Sequence, residues 1–462
     1  MNTTSDSYST SNFYLSMYES RWCFVTCIAI ALVFALIYIK LMDWLAVYLA
    51  WITIVVIEVA FVLIGYYQYQ YAQKIIDVQG GPTSTSRIAL TFASFAWIFA
   101  ALFYLVMFCN FKSLRISIAI IETAADFFAD TKRIVLMPLL YFCIWVGVFV
   151  FWLWGLCGVA SITDSEIQVD SIQFQTKTVN RSEGTNWMIF GMVIGMVWLS
   201  AFIIAANEYT VICAAISWYY SRKDIPDDDG IPGDADVTKG LWWTYRYHMG
   251  TLAFGSFILT AVWTVRAILE YLGEKLHEAT AGNKCTECML CCMRCCLDCF
   301  DRFIRFLNQN AFIYSAVTSE SFCPSALHAF LLVLKNAAKF SFVEGIAGSF
   351  MFLAKVFVAI GTTMIGYWML PAFTAPIIVS PTLPCLFIFL FSYLVASSFI
   401  SIFDISSITI LQCYLFDLDL QKHHGLDMKH VPPTLLKFLA IHQEETKGQS
   451  GYDPESKQNL MQ

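Results

Sequence analysis

The sequence contains eight long runs of apolar residues, and these runs constrain the fold more than any other feature. Each is long enough to cross the hydrocarbon core of a bilayer, which needs roughly 20 residues of α-helix. They are too long and too unbroken for the alternating strands of a membrane β-barrel. The sequence therefore predicts an all-α, polytopic transmembrane helical bundle. The runs cover residues 22–39, 44–66, 88–109, 134–160, 187–218, 249–272, 346–370 and 383–415.

Composition supports a lipid environment. Apolar residues make up 58% of the 462 residues and charged residues 14%, whereas a soluble domain has about 45–50% and about 25%. The net charge of −7 gives no basic surface for nucleic acid. We predict a polar tail at residues 1–21, a membrane domain at 22–418 and a second polar tail at 419–462.

A ninth span is ambiguous. Residues 285–312 are apolar on average, but they carry Arg294, Asp298, Asp301 and other charges. The sequence therefore predicts about nine spans, of which eight are clear. Without the ninth, the C-terminal tail lies on the outer side of the membrane.

The loops indicate an orientation. Basic residues are concentrated in the loops 110–133 and 219–248, and positive charge marks the cytoplasmic side. The loop 161–186 is mostly acidic and is predicted to lie outside, together with the N-terminus. Both outer segments carry an acceptor sequence for N-glycosylation, at Asn180 and Asn2.

Two helical segments leave alternatives open. Residues 113–130 mix isoleucines with acidic residues, which is typical either of an amphipathic helix on the inner membrane surface or of a connector helix packed on the bundle. The run 187–218 exceeds one membrane thickness, so its helix must tilt, protrude or break. The spacing of Gly191 and Gly195 there allows close helix approach.

Ionisable residues inside predicted spans are costly and indicate function by default. Glu58, Arg266 and Asp404 are candidates for intramembrane charge or ion coupling. The alternative is structural pairing, for example of Glu58 with Arg266 or Lys355.

Glu208 is the intramembrane charge that best suits a binding site. It is followed by Tyr209, with Trp218 and Tyr219 about three turns further along the helix. Aromatic faces attract quaternary ammonium groups through cation–π interactions. We therefore predict that these four residues bind a small organic cation, although aromatic residues also form interfacial belts in membrane proteins.

Seven cysteines fall within residues 285–299. Their C-x-x-C spacings are compatible with zinc, but steps of three and four residues place most of them on one face of a helix. S-acylation beside the membrane or a helical packing stripe fits better, and we predict no metal. The sequence shows no Walker loop, H-E-x-x-H, G-x-S-x-G or kinase motif, so neither an enzyme nor a cofactor is predicted.

Several uncommon strings recur in the order of one known family. Residues 308–312 read N-Q-N-A-F, residues 321–326 read S-F-C-P-S-A, and Ala329-Phe330 follows. They resemble the N-x-N-A-[YF] and [DN]-F-C-x-S-A elements of the choline transporter-like family of solute carriers, with Ser321 in place of Asp or Asn. Similar strings lie at residues 217–220, 246–250, 253–256, 392–396, 401–404 and 416–417.

The resemblance implies ten helices with cytoplasmic termini and transport of choline, sometimes ethanolamine, without ATP. It also implies a ninth crossing here within residues 285–346. The family's first helix and its large outer loop have no counterpart, so we expect either a shortened member or a truncated sequence. Glu208 stands where relatives are expected to carry a neutral residue.

The leading hypothesis is a multi-pass transporter of choline or a related amine, with proton exchange left open. The plasma membrane is the expected location, and an organelle membrane is the alternative. Two other functional classes stay open: a solute carrier or channel of the same fold with another substrate, and a non-transporting membrane scaffold. The scaffold would bind a partner through the cysteine-rich segment and the acidic residues 227–229.

Overall fold

The computed structural model describes residues 20–109, 111–162, 164–168, 176–180, 183–221, 237–279, 284–373, 382–424, 431–432 and 435. Most of these residues are helical. The helices are α1 (Arg21–Gln79), α2 (Ser84–Cys109), α3 (Phe111–Asp130), α4 (Met137–Ala160), α5 (Glu183–Tyr220), α6 (Val237–Tyr247), α7 (Met249–Ala279), α8 (Lys284–Thr318), α9 (Phe322–Lys335), α10 (Ala337–Phe373) and α11 (Thr382–His424), and a 3-10 turn covers Lys132–Leu136.

The helices confirm the predicted membrane bundle. Among the described residues, eight segments are long and apolar enough to cross a bilayer. The pair Cys288–Thr318 and Phe322–Lys335, bent by 105°, gives a ninth if it is counted as one span. The chain is therefore a multi-pass integral membrane protein. An antiparallel hairpin of β1 (Asp164–Gln168) and β2 (Thr176–Asn180) lies outside the spans and is not anticipated by the sequence analysis.

Helix α1 differs from the sequence expectation of two separate helices. It runs unbroken for 59 residues and contains two candidate spans, Arg21–Leu41 and Trp51–Gln79. The polar dip between them interrupts hydropathy, but it contains neither glycine nor proline, and those are the residues that break helices. The helix ends only at Gly80, whose φ of 68° is a left-handed C-cap.

Helix α5 is also unbroken, over 38 residues, so the interrupted-helix alternative is wrong. The close approach that Gly191 and Gly195 would allow is not observed among the described residues. A Cβ atom placed on either glycine would meet no described atom within 4 Å. Spacing of small residues permits close packing but does not supply a partner helix.

The chain divides into two compact units. The first takes residues 1–132, 219–232 and 336–462, and the second takes residues 133–218 and 233–335. In the first unit, α1 packs against α2, α3, α10 and α11. Its aromatic core joins Phe403 to Phe128 and Phe350, with ring centroids 5.4 and 6.4 Å apart.

Helix α3 lies within the first unit and not flat on its surface. It packs against α1, α10 and α11, and its buried residues include Ile118, Ile121, Thr123 and Phe127. Burial on several sides excludes a helix that presents one whole face to water. Of the two alternatives for residues 113–130, the packed connector helix is correct.

Tryptophan and tyrosine side chains tie α4 to α5 in the second unit. The indole of Trp145 donates to the Ser200 hydroxyl at 3.0 Å, and that of Trp152 donates to the Met192 carbonyl at 2.9 Å. The hydroxyls of Tyr141 and Thr210 lie 2.8 Å apart. Because water is absent from a bilayer core, such polar atoms must find partners within the protein.

Gly366 allows close packing at the meeting point of α1, α10 and α11. A Cβ atom there would lie 2.9 Å from Ile388 Cδ1 and 3.0 Å from Cys27 Sγ, whereas one at Gly348 in the same helix would meet open space. We expect Gly366→Val to lower the free energy of unfolding by about 1–3 kcal/mol through overpacking. The measurement is thermal unfolding of the purified protein in detergent.

Gly348→Val is the matched control, because it makes the same change without a neighbour to displace. Equal melting temperatures for the two variants would contradict the close packing at Gly366.

Candidate functional site

A large cavity lies in the second unit, at the bend between α8 and α9. Its volume is about 1010 Å³. Helix α5 contributes one wall, α6 and α7 a second, and the bend itself a third. The lining residues are Cys213, Trp243, Tyr247, His248, Gly250, Thr251, Phe254, Ala316, Ser319, Glu320, Ser321, Phe322 and Cys323.

A strained turn forms the third wall. Ser319 has a φ of 59°, a left-handed conformation that costs a residue with a Cβ atom about 1–2 kcal/mol. The turn is held by the Ser315 hydroxyl, which donates to the Glu320 carbonyl at 2.8 Å, and by the Ser319 amide, which donates to the Ser315 carbonyl at 2.8 Å. This sharp reversal places the side chains of Glu320 and Phe322 on the cavity wall.

Aromatic rings line and support the cavity. Phe254 contacts Phe322 edge to face, with ring centroids 5.4 Å apart. Behind them lies Phe312, which is 6.0 Å from Phe322 and 5.9 Å from Tyr209. Tyr209 in turn packs on His248 at 5.0 Å. Such edge-to-face contacts fix the rings that face the cavity.

Gly255 lets α7 approach α8 behind this wall. A Cβ atom on Gly255 would lie 2.5 Å from Asn308 Oδ1 and 2.7 Å from the ring of Phe312. Only glycine leaves room for Phe312 to reach its aromatic neighbours, so this residue sets the position of the wall.

The cavity has an acidic edge. Oε2 of Glu320 lies 3.0 Å from Nδ1 of His328, and both side chains are partly exposed. Burial lowers the pKa of His248, so its imidazole is neutral at pH 7 and adds no positive charge. A carboxylate beside several aromatic faces attracts a cation and offers an anion little.

None of the four predicted substrate residues belongs to the lining of this cavity. Tyr209 is fully buried and packs against His248. Glu208 lines a second, smaller cavity. Trp218 is partly buried and belongs to the lining of neither cavity.

Tyr219 forms a different contact, within the first unit. Its buried hydroxyl donates to Asp417 Oδ2 at 3.0 Å, and the hydroxyl of Tyr220 donates to Oδ1 at 3.3 Å. Two phenols therefore hold one carboxylate that is only 8% exposed. This contact joins residues 219–220 to α11 within the first unit.

The three predicted intramembrane charges lie in different environments and do not form one cluster. Arg266 pairs with Glu270 at 2.8 Å and with Asp298 at 2.7 Å. The suggested pairing of Arg266 with Glu58 is therefore wrong. Oε2 of Glu58 is buried without a hydrogen-bond partner among the described residues. Asp404 is partly buried and has an electrostatic interaction with Lys355.

The predicted modification sites are only partly described. Asn2 and the side chains of Asn180 and Cys285 lie outside the described residues, and the backbone of Asn180 ends β2. Cysteines 288, 291, 292, 295, 296 and 299 are exposed along α8, which confirms the predicted helix. Among the described residues no three potential ligands converge on a metal site.

Sequence reasoning did not assign a role to Trp243, Phe254, Glu320 or Phe322. The strings around most of them were noted only for a family resemblance. The signal available was a carboxylate close to several aromatic residues near helix ends. That pattern is also typical of interfacial belts, and only the folded turn at Ser319 brings these residues together.

The turn at Ser319 gives a test of its own. Ser319→Gly removes the left-handed penalty and is expected to keep the melting temperature within about 2 °C, since the gain is offset by greater freedom of the unfolded chain. Ser319→Val is expected to cost about 1–2 kcal/mol, because a β-branched residue rarely adopts this φ. Thermal unfolding in detergent measures both, and equal loss in the two variants would contradict the strained turn.

The carboxylate held by two tyrosines gives a second test. Tyr219→Phe leaves Asp417 buried with one donor fewer and is expected to lower stability by about 1–3 kcal/mol. Tyr71→Phe, at an exposed tyrosine of α1, is the matched control and should change stability little. A Tyr219→Phe variant as stable as this control would show that the contact contributes nothing.

Comparisons with known proteins agree with the membrane architecture and the strings around the cavity. A family described as plasma-membrane choline transporter matches residues 94–419. Choline transporter-like protein 1 of Rattus norvegicus is 29% identical over 336 residues, which cover 72% of this chain and 48% of that protein.

Other curated relatives show the same pattern. Choline transporter-like protein 3 of Bos taurus is 26% identical over 371 residues, or 80% of this chain and 55% of that protein. Choline transporter-like protein 2 of Xenopus laevis is 32% identical over 228 residues, or 48% and 31%. The chain spans about half the length of the first of these relatives. Since the family match covers well over half of this sequence, the chain belongs to the plasma-membrane choline transporter family.

Proposed function

We propose that this protein moves a choline-like organic cation across the plasma membrane and that the larger cavity is its binding site. The observation that carries this proposal is the lining of Trp243, Tyr247, Phe254 and Phe322 beside the carboxylate of Glu320. A quaternary ammonium has no N–H donor, so aromatic faces and a nearby negative charge are the groups that recognise it.

The driving force in this proposal is electrochemical. An inside-negative potential favours cation entry by about 2.3 kcal/mol per elementary charge per 100 mV, so no ATP is required. Proton exchange and transport of ethanolamine belong to the same proposal as finer features, and the intramembrane charges Glu58, Arg266 and Asp404 remain candidates for coupling.

The larger cavity is assigned to the cytoplasmic end of the second unit. Helix α6, which supplies Trp243 and Tyr247, also carries Lys239 and Arg246. Basic residues beside a span favour the cytoplasmic side. Because α8 runs back along α7, the exposed cysteines of α8 lie at the opposite end of this helix pair.

The four residues first proposed for the substrate take different places in this function. Tyr209 supports the cavity by packing on His248, and Glu208 lines the neighbouring smaller cavity. A role of Trp218 and Tyr219 in substrate binding remains a prediction. The hydroxyl of Tyr219 already donates a hydrogen bond to Asp417. Glycosylation at Asn2 and Asn180 is likewise a proposal.

Adjacent tryptophans provide a sharp test of the larger cavity. Trp243 lines it, whereas Trp242 is 62% exposed and does not. In proteoliposomes we expect saturable uptake of labelled choline, reduced about thirtyfold by Trp243→Ala, because a desolvated cation–π contact is worth about 2 kcal/mol. Trp242→Ala should leave uptake nearly unchanged.

Three outcomes would contradict the proposal. Equal choline uptake by the two variants would show that the larger cavity is not the binding site. Linear, voltage-gated current that choline does not saturate would favour a channel. Absence of any choline-dependent flux through correctly reconstituted protein would favour a scaffold.

A further inference from the structure

Three cysteine thiols meet in the first unit, where α1 and α11 begin. Cys23 and Cys27 lie one turn apart near the start of α1, and Cys385 lies in the first turn of α11. All three are free thiols. They belong to the lining of neither the larger nor the smaller cavity, so the proposed transport function does not use them.

Gly366 of α10 shows how the two helices are aligned here. A Cβ atom on this glycine would lie 3.0 Å from Cys27 Sγ and 2.9 Å from Ile388 Cδ1, so Cys27 and Ile388 lie at the same level. Cys23 precedes Cys27 by one turn, and its thiol donates to the Gly366 carbonyl at 4.0 Å. Cys385 precedes Ile388 by about one turn, which brings it level with Cys23.

The sulfur atoms also interact with one another. The S–H of Cys27 donates a hydrogen bond to the sulfur of Cys23. Cys385 has electrostatic interactions with Cys23 and with Cys27. The three thiols are therefore close enough to act as one group, although they come from opposite ends of the sequence.

Other buried cysteines have different neighbours. Cys213 lies beside the Thr244 hydroxyl, and Cys413 lies beside Tyr220 and Asp417. A buried cysteine often serves only as a small apolar side chain, and these two fit that role. Packing alone does not require three thiols from two helices to meet, because alanine or valine fills such space.

The three thiols differ in their access to solvent. Cys23 is 0% exposed and Cys27 is 1% exposed, whereas Cys385 is partly exposed. A reagent from solution therefore reaches Cys385 first. The segment before α1 is predicted to lie outside the cell, where disulfides form and persist.

We propose that Cys385 and Cys23 form a redox-active disulfide that ties the beginning of α11 to the beginning of α1. The thiolate of Cys385 attacks a low-molecular-weight disulfide and releases one thiol, and the thiolate of Cys23 then attacks the Cys385 sulfur and releases the second. The two cysteines lose two protons and two electrons, and the external disulfide is reduced to two thiols. Cys27 is a positioning residue, because its S–H stabilises the attacking thiolate of Cys23.

Peptide mapping tests the bridge directly. The purified full chain in nanodiscs is treated with oxidised glutathione, blocked with N-ethylmaleimide and digested without reductant. Mass spectrometry is expected to find a peptide pair linked through Cys23 and Cys385, which dithiothreitol separates. The oxidised protein should melt about 2 °C or more above the reduced protein, and Cys385→Ser should abolish both effects.

Two further variants sharpen the test. Cys157→Ser is the matched control, since it removes an exposed cysteine of α4, and it should leave the linked peptide and the melting shift unchanged. Cys27→Ala should slow formation of the bridge about threefold to tenfold, as for loss of one hydrogen bond, without preventing it.

The assignment would be overturned by wild-type protein that yields no such link, or that yields a link through Cys27 in place of Cys23. A melting shift that persists in Cys385→Ser would overturn it as well. Because these readouts are chemical and do not require choline uptake, failure of the proposed transport function would leave them unaffected.

Discussion

The antiparallel packing of α7 against α8 is the contact on which both cavities depend. It can be followed from Leu290, which lies against Gly273 at one end, to Phe322, which lies against Phe254 at the other. Between them, Gly255 admits Asn308 and Phe312. A wider separation of the two helices would remove the shared aromatic wall and merge two spaces of different chemistry.

The two cavities of the second unit differ in the chemistry of their lining. Each has a carboxylate, Glu320 in the larger and Glu208 in the smaller. The larger one presents aromatic faces, and the smaller one presents a guanidinium and two amides beside its carboxylate. In a site with little water, a missing hydrogen-bond partner is costly, so the two linings suit different chemical groups.

The sequence predicted the spans because lipid demands long apolar helices, but it could not predict what tertiary contacts decide. It missed the continuity of α1, because a fall in hydropathy was taken for the end of a helix. The segment contains no glycine or proline that would end it. It found Glu208 from its isolation in an apolar run. It missed Trp243 and Glu320, which lie 77 positions apart by number and meet only because Ser319 reverses the chain.

The polar contacts between α7 and α8 also bear on how the protein enters the bilayer during synthesis. Arg266 on α7 pairs with Asp298 on α8, and Trp263 binds Asp301. A charged residue at the centre of an isolated span costs about 2.5–3.5 kcal/mol on insertion scales. Helix α8 alone would meet this cost several times, which explains why its sequence is ambiguous as a span. Contact with α7 offsets part of this cost, so insertion of the two helices together is favoured over insertion of α8 alone.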